Sequence, residues 1–226
     1  MILAIDTATR WAGLALHSGT AVVAEYGWHS AQNHTVELAP ALHQMCYQVG
    51  IHLTDLTAIA VAIGPGSYTG LRVGLALAKG LSLANKTPLI GISTLDIVAA
   101  SLGEFPGPLL VAAEAGRTRV CVAEYRWRGS WQMATSPDIK TWEDALADLR
   151  PPALIAGEIT PAAARLIRQT NREYQIASPA MSVRRAGFLA ELGWKRYQQK
   201  QLDDAASLAP VYLRDPAGKK ITASPE

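Results

Sequence analysis

Residues 1–100 carry the clearest alternation of apolar and polar positions. Residues 1–6 form a short apolar run ending in a carboxylate, Asp6. Residues 11–17 alternate, and Ser18-Gly19-Thr20 turns the chain back into residues 21–26, so three strands open the protein. Leu38, Leu42, Met45 and Val49 recur at i, i+4, i+7 and i+11, which predicts an amphipathic helix over 35–49. Pro40 is expected near its first turn, where a missing N–H is tolerated, and Gly50 supplies the stop. An apolar run over 56–63 enters Gly64-Pro65-Gly66, and a second apolar run leaves it as far as Ala84. Strand, tight loop and helix are predicted across this stretch. On the helix, Gly70, Gly74 and Ala78 recur every four residues as a small-residue stripe, while Leu71, Val73, Leu75, Leu77, Leu81 and Leu83 cover most of the remaining surface. A helix apolar all round is buried on more than one side. One neighbour is its own sheet; the pattern calls for a second. A strand over 87–92 and a helix over 95–102, capped by Ser93 or Thr94, follow.

Glu104-Phe105-Pro106-Gly107-Pro108 marks an internal boundary, and beyond it the pattern restarts. Runs at 109–113, 119–126 and 131–134 read as a second three-strand opening, followed by a helix over 141–149 and a strand over 153–156. Further helices are predicted over 161–169 and 182–199, with a late strand over 209–213. In both halves an acidic residue, Asp6 or Glu114, begins the loop between the first two strands. The expected organisation is a first lobe over 1–103, a smaller second lobe over 104–214, and a disordered polar tail over 215–226. Two tandem halves of mixed sheet and helix outline a duplicated α/β fold, actin-like (the ASKHA superfamily), with the second lobe truncated.

Charge changes the picture in one respect. Charged residues make up 18% of the chain, below the usual ~25%. The deficit is local: nine fall in positions 1–100 and 31 in the remaining 126. A charge-poor first half points to surface hidden in a protein contact. The net charge of +2 offers no basic field for direct nucleic-acid binding, and the arginines at 117, 119, 126 and 128 and at 165, 168 and 172 read as solvated faces. Cys46 and Cys121, in apolar contexts without metal or redox spacing, read as buried thiols of a reducing compartment. With no signal-peptide pattern and no span long enough for a membrane, the expected location is the cytoplasm.

Candidate chemistry is thin. Glycines before a helix N-terminus suit an anion, but the Walker pattern requires Gly-Lys-Ser/Thr where this chain has Gly70-Leu71-Arg72. Actin-like nucleotide hydrolysis would use two acidic loops. The first offers Asp6, Thr7 and Thr9 without glycine; the second offers Glu114 and Gly116, crowded by Arg117. Both read as vestigial phosphate loops, and Gly157-Glu158 is a lone glycine where an adenosine contact would need a pair. Ser67 misses the spacing of a nucleophile elbow by one residue. No two of the five histidines lie three or four apart, so none chelates a metal from one helical face.

Several runs nevertheless resemble a known family. Ile2-Leu3-Ala4-Ile5-Asp6-Thr7-Ala8, residues 62–74 with Lys79 and Gly80, Pro88-Leu89-Ile90-Gly91-Ile92-Ser93-Thr94-Leu95 and Pro210-Val211-Tyr212-Leu213-Arg214 closely resemble the TsaB (YeaZ) family, bacterial proteins of threonylcarbamoyladenosine formation in tRNA. The resemblance is strong over 1–100 and looser over 101–214. The catalytic relative TsaD carries a metal-binding histidine pair after the matching strand, and here Thr94 and Val98 stand at those positions. Glu114-Ala115-Gly116-Arg117 departs from the family's Asp-Ala-Arg-Arg.

The resemblance implies a non-catalytic scaffold that pairs with a TsaD-like paralogue through the helices before and after the central strand. A TsaE-like ATPase then joins, and tRNA is engaged only through the complex. ATP or ADP and metal are expected on the partner subunits, with none bound by this chain alone, and alone it is expected to homodimerise through the same faces. The implied interface is Leu38, Leu42, Met45, Tyr68, Gly70, Leu71, Val73, Gly74, Leu77, Ala78 and Leu81. Gly74→Leu is accordingly expected to disturb complex formation more than folding. The competing reading is an ATP-dependent kinase or metallopeptidase-like enzyme of the same superfamily.

Overall fold

Burial of side chains on both faces of the central strands dictates the layout of the first unit. The computed structural model describes residues 1–31, 33–115 and 119–213, and the chain divides into two compact units, Met1–Ile97 with Arg184–Pro210, and Val98–Val183 with the residues from Val211. Strands β1 (Ile2–Asp6), β2 (Trp11–His17), β3 (Val22–His29), β4 (Ala58–Gly64) and β5 (Leu89–Ser93) form one sheet in the order β3-β2-β1-β4-β5. The β1–β2 and β2–β3 pairs are antiparallel, and β1–β4 and β4–β5 are parallel.

Helices α1 (His34–Val49) and α2 (Tyr68–Asn85) cover one face of this sheet. Leu3, Ile5, Leu14, Leu16, Ile59 and Val61 meet Leu38, Leu42, Met45 and Leu75 there in a single apolar core. The other face, which carries Ala58, Ala60 and Ala62 on β4, is covered by helix α7 (Ala186–Gln198). A Cβ on Gly193 would lie 2.5 Å from Ala60 Cβ, so this helix approaches the alanine face of β4 more closely than any side chain allows. The lobe division expected at 103 therefore differs from the contacts observed. Residues 184–210 return to the first unit, because the alanine face of β4 must be covered.

Other boundaries follow local chemistry. Gly50, at φ 74°, ends α1 and returns its N–H to the Cys46 and Tyr47 carbonyls. Helix α1 begins at His34, so Pro40 sits in the second turn rather than the first, where it withholds a donor from the Val36 carbonyl. Ser67 caps α2, its hydroxyl accepting the Gly70 N–H at 3.3 Å. Helix α3 (Thr94–Ala100) follows β5 directly. The late strand expected over 209–213 is absent. Among the described residues the bridge nearby joins Leu89 to Asp203, and Pro210 has no N–H for a ladder.

The second unit repeats the sheet plan. Strands β6 (Leu109–Glu114), β7 (Val120–Trp127), β8 (Trp131–Met133), β10 (Ala153–Gly157) and β11 (Tyr174–Ile176) run in the order β11-β10-β6-β7-β8, and β9 (Asp138–Lys140) also pairs with β7. The β6–β7 pair is antiparallel and β6–β10–β11 parallel, as in β1–β2 and β1–β4–β5. Its helices α4 (Trp142–Ala147), α5 (Pro161–Thr170) and α6 (Pro179–Ser182) have 6, 10 and 4 residues, against 16 and 18 in α1 and α2. The second unit is thus shorter in its helices while keeping every strand of the repeat. Strands β9 and β11 and helix α6 escape sequence reading because three or four residues are too few to show a period.

Candidate functional site

Helix α2 has two sides of opposite character. Gly70, Leu71, Gly74, Leu75, Ala78 and Ser82 are buried. A Cβ on Gly70 would lie 2.2 Å from the Thr7 carbonyl oxygen, and one on Gly74 would lie 2.4 Å from Thr7 Oγ1. The stripe expected to meet a partner therefore packs on the chain's own β1–β2 loop. Leu38, Leu42, Met45, Leu71 and Ala78 are likewise enclosed in the first unit's core. Of the expected interface residues, Tyr68 is exposed and Val73, Leu77 and Leu81 are half-buried.

The outward side holds a second small-residue stripe. Ala76, Gly80 and Ala84 are all exposed, and a Cβ on Gly80 would meet nothing within 4 Å. Leu83 beside them is 75% exposed, and on α1 Val36 and Tyr47 are 67% and 76% exposed. At about 100° per residue, Ala76 lies some 200° round the helix from Gly74, so the two stripes occupy opposite sides. Both were present in the sequence, and the tight contact with Thr7 decides which one is free.

Between α1 and α2 runs an apolar groove of about 480 Å³, bounded by His34, Leu38, Ala39, Tyr68, Val73 and Leu77. At its mouth the Arg72 guanidinium lies 3.8 Å from the centre of the Tyr68 ring. His34 is buried, and its Nδ1 has no hydrogen-bond partner among the described residues. The Trp28 indole N–H donates to Glu37 at 2.9 Å, tying edge strand β3 to α1 and holding the Glu37 carboxyl below its usual range.

The first acidic loop is closed by the chain itself. Asp6 Oδ1 accepts the Ala8 N–H at 2.8 Å, and Asp6 Oδ2 accepts from Arg184 Nε at 3.0 Å. Neither side chain is open to water, at 0% exposure for Asp6 and 3% for Arg184. Arg184 also donates to Thr9 Oγ1 and to the Trp11 carbonyl. The Thr7 hydroxyl is spent on the Gly70 carbonyl at 2.7 Å. Sequence spacing does not reveal Arg184, since 178 residues separate it from Asp6 and no spacing rule reaches that far.

The second loop is different. The Glu114 N–H donates to Glu158 Oε2 at 2.7 Å, beside a cleft of about 320 Å³ bordered by Arg119, Trp142, Glu143 and Thr160. Gly157, at φ +104°, lies where a Cβ would sit 2.0 Å from the Ala112 carbonyl oxygen, so close packing explains it. Gly116 and Arg117 lie outside the described residues, as does the tail over 215–226.

Other candidates resolve into structure. Ser67, weighed as a nucleophile, is the cap of α2. Thr94 and Val98 are buried, with no hydrogen-bond partner for the Thr94 hydroxyl among the described residues. Burial pushes the Cys121 thiol up to about 12, with the Asp138 charge adding to the effect, and burial also raises Cys46. Among the described residues, no three His, Cys, Asp or Glu side chains converge as a metal site, and no helix is long and apolar enough to cross a membrane.

Two tandem sheets of this order, each with an acidic residue closing its first strand, define an actin-like α/β protein. A structure from Pseudomonas aeruginosa, described as similar to the peptidase YEAZ, superposes with a TM-score of 0.79 at 24% identity, covering 94% of this chain and 99% of that one. Residues 24–222 match the model of the TsaD family, tRNA N6-adenosine threonylcarbamoyltransferase. The Bacillus subtilis tRNA threonylcarbamoyladenosine biosynthesis protein TsaB is 33% identical over 218 residues, 94% of this chain and 93% of its own length. The Escherichia coli TsaB protein is 38% identical over 127 residues, 55% of this chain and 54% of its own length. The chain belongs to the TsaB family.

An actin-like fold implies a Mg²⁺-nucleotide, and the first loop does not fit one. A metal needs an accessible carboxylate oxygen, whereas both Asp6 oxygens are taken by groups of the chain, one of them a buried guanidinium.

Proposed function

We propose that this protein acts in forming threonylcarbamoyladenosine in tRNA as a non-catalytic scaffold for a TsaD-like transferase. The observation that carries this reading is the apolar exposure of α1 and α2: Leu83 and the open stripe Ala76, Gly80 and Ala84 on α2, and Val36 and Tyr47 on α1. Small residues on an outward helical face let a partner helix approach closely, and exposed aromatic and aliphatic side chains gain by being covered. The match to a transferase family model supports a paralogue as the partner, since related chains present related faces. Alone, the same face is covered by a second copy, as self-complementary patches favour two-fold dimers. A TsaE-like ATPase joins the pair, nucleotide and metal reside on the partners, tRNA is held only by the assembly, and the setting is the cytoplasm.

Light scattering after size exclusion tests the reading, on this chain alone and mixed with the same organism's TsaD-like protein. A dimer converting to a one-to-one heterodimer is the expected result. A monomer that ignores the paralogue would refute it. The catalytic alternative, an ATP-dependent kinase or metallopeptidase, requires metal-dependent turnover by the pure chain. The closed Asp6 loop speaks against that alternative.

A further inference from the structure

We infer that Arg184 is a built-in cation of the first acidic loop, a positioning residue that fixes the start of α2 without nucleotide or metal. Asp6 is wholly buried, and a buried carboxylate persists only with a paired charge and satisfied hydrogen bonds. Arg184 supplies both. Its guanidinium reaches Asp6, Thr9 and the Trp11 carbonyl, and so spans the loop from the end of β1 to the start of β2. A rigid fork of donors suits this task, whereas lysine gathers its donors on one nitrogen and cannot span acceptors so far apart.

The loop in turn holds α2. The Ala8 carbonyl accepts the Ser67 N–H at 2.6 Å, and the Thr7 hydroxyl donates to the Gly70 carbonyl. A Cβ on Gly66 would lie 2.2 Å from the Ala8 carbonyl oxygen and one on Gly70 2.2 Å from that of Thr7, so the entry and first turn of α2 are seated directly on the loop. The seating runs from Arg184 through Asp6 and Thr9 to Thr7 and Ala8, and ends on Ser67 and Gly70.

Arg184 itself is anchored by the entry of α7. That helix has no side-chain cap of its own at Arg185. Instead Glu25 of β3 accepts the Gly187 N–H at 2.9 Å and pairs with Arg185. Docking of α7 on the alanine face of the sheet and closure of the Asp6 loop are therefore one event. Where a bound nucleotide and metal can come and go, a covalently attached guanidinium does not, so this lobe presents α2 in one arrangement. The consequence for partner binding rests on the pairing proposed above; the seating of α2 does not.

The test uses the full chain with Arg184→Met, Arg184→Lys and the double variant Asp6→Asn/Arg184→Met, which removes the buried charge together with its partner. If Arg184→Met fails to fold, the double variant, which leaves no stranded carboxylate, keeps the question open to measurement. Amide hydrogen exchange is read at the first turns of α2 and, as an internal reference, in α1. The double variant is expected to exchange about tenfold faster over residues 68–74 with α1 unchanged, since exchange reports local opening. Arg184→Lys is expected to fall between it and the natural chain. Equal protection of α2 in the natural chain and the double variant would overturn the inference. So would thermal stabilisation of the natural chain by Mg²⁺·ADP that Asp6→Asn abolishes. If no variant nor the natural chain pairs with the paralogue while exchange behaves as stated, the scaffold reading fails and the positioning role stands.

Discussion

Gly74 and Thr7 are in contact across 67 positions of sequence, so closely that a Cβ on the glycine would lie 2.4 Å from the threonine Oγ1. Thr7 has little freedom to yield, because the same hydroxyl donates to the Gly70 carbonyl at 2.7 Å. Gly74→Leu is therefore expected to act on folding first, contrary to what the sequence alone suggests. Overpacking of this kind costs about 1–3 kcal/mol or more. Urea unfolding of Gly74→Ala, with and without Thr7→Ala, checks it. The second substitution should recover part of the loss, and independent, additive effects would contradict the contact.

Gly80 gives the opposite expectation. Its Cβ position is open, and replacing a helical glycine by a good helix former gains about 0.5–1 kcal/mol. Gly80→Arg should unfold at or above the temperature of the natural chain, yet pair with the paralogue at least about tenfold more weakly, a loss of ~1.4 kcal/mol. Gly80→Ala is the control that should still pair. Undiminished pairing by Gly80→Arg would move the interface off the outward stripe.

The Thr94 hydroxyl is fully buried and has no hydrogen-bond partner among the described residues. Leaving a buried hydroxyl unsatisfied costs about 1–3 kcal/mol, so an isosteric apolar side chain should be tolerated or stabilising. Thr94→Val is expected to raise the urea midpoint. A drop of more than about 1 kcal/mol would mean that the hydroxyl holds a structural water.

Cys121 links stability to alkaline pH. Burial raises its thiol from an ordinary value of 9 to about 12. Between these values the unfolded chain has lost this proton and the folded chain keeps it. Its contribution is thus fully present below pH 9 and is lost as pH rises towards 12. The slope approaches ~1.4 kcal/mol per pH unit within that window. Comparing the natural chain with Cys121→Val at pH 8 and pH 10.5 isolates the effect from lysines and tyrosines. The stability gap should shift in favour of the variant at the higher pH, and a gap independent of pH would exclude the link.

Much of this protein is legible in its residue order. A short apolar run places β1, alternation places β2, the 3.6 period places α1, and Gly50 ends it, because these are local preferences of single segments. The repeated opening of three strands shows the duplication. The run over 62–74 carries the family, and an excess of apolar surface on α2 is visible from composition alone.

What the residue order does not decide is which side of α2 that excess lies on. Gly70–Gly74–Ala78 and Ala76–Gly80–Ala84 are equivalent as patterns, and they separate only when Thr7 comes down on the first of them. Nor does it place residues 184–198. Their helix serves the first sheet because the alanine face of β4 has to be covered, and only Gly193 lets a helix lie that close. The pairing of Asp6 with Arg184 belongs to the same class. A period reports the neighbours of a residue along one element, whereas a buried charge takes its partner from whatever strand or helix the packing brings within about 3 Å.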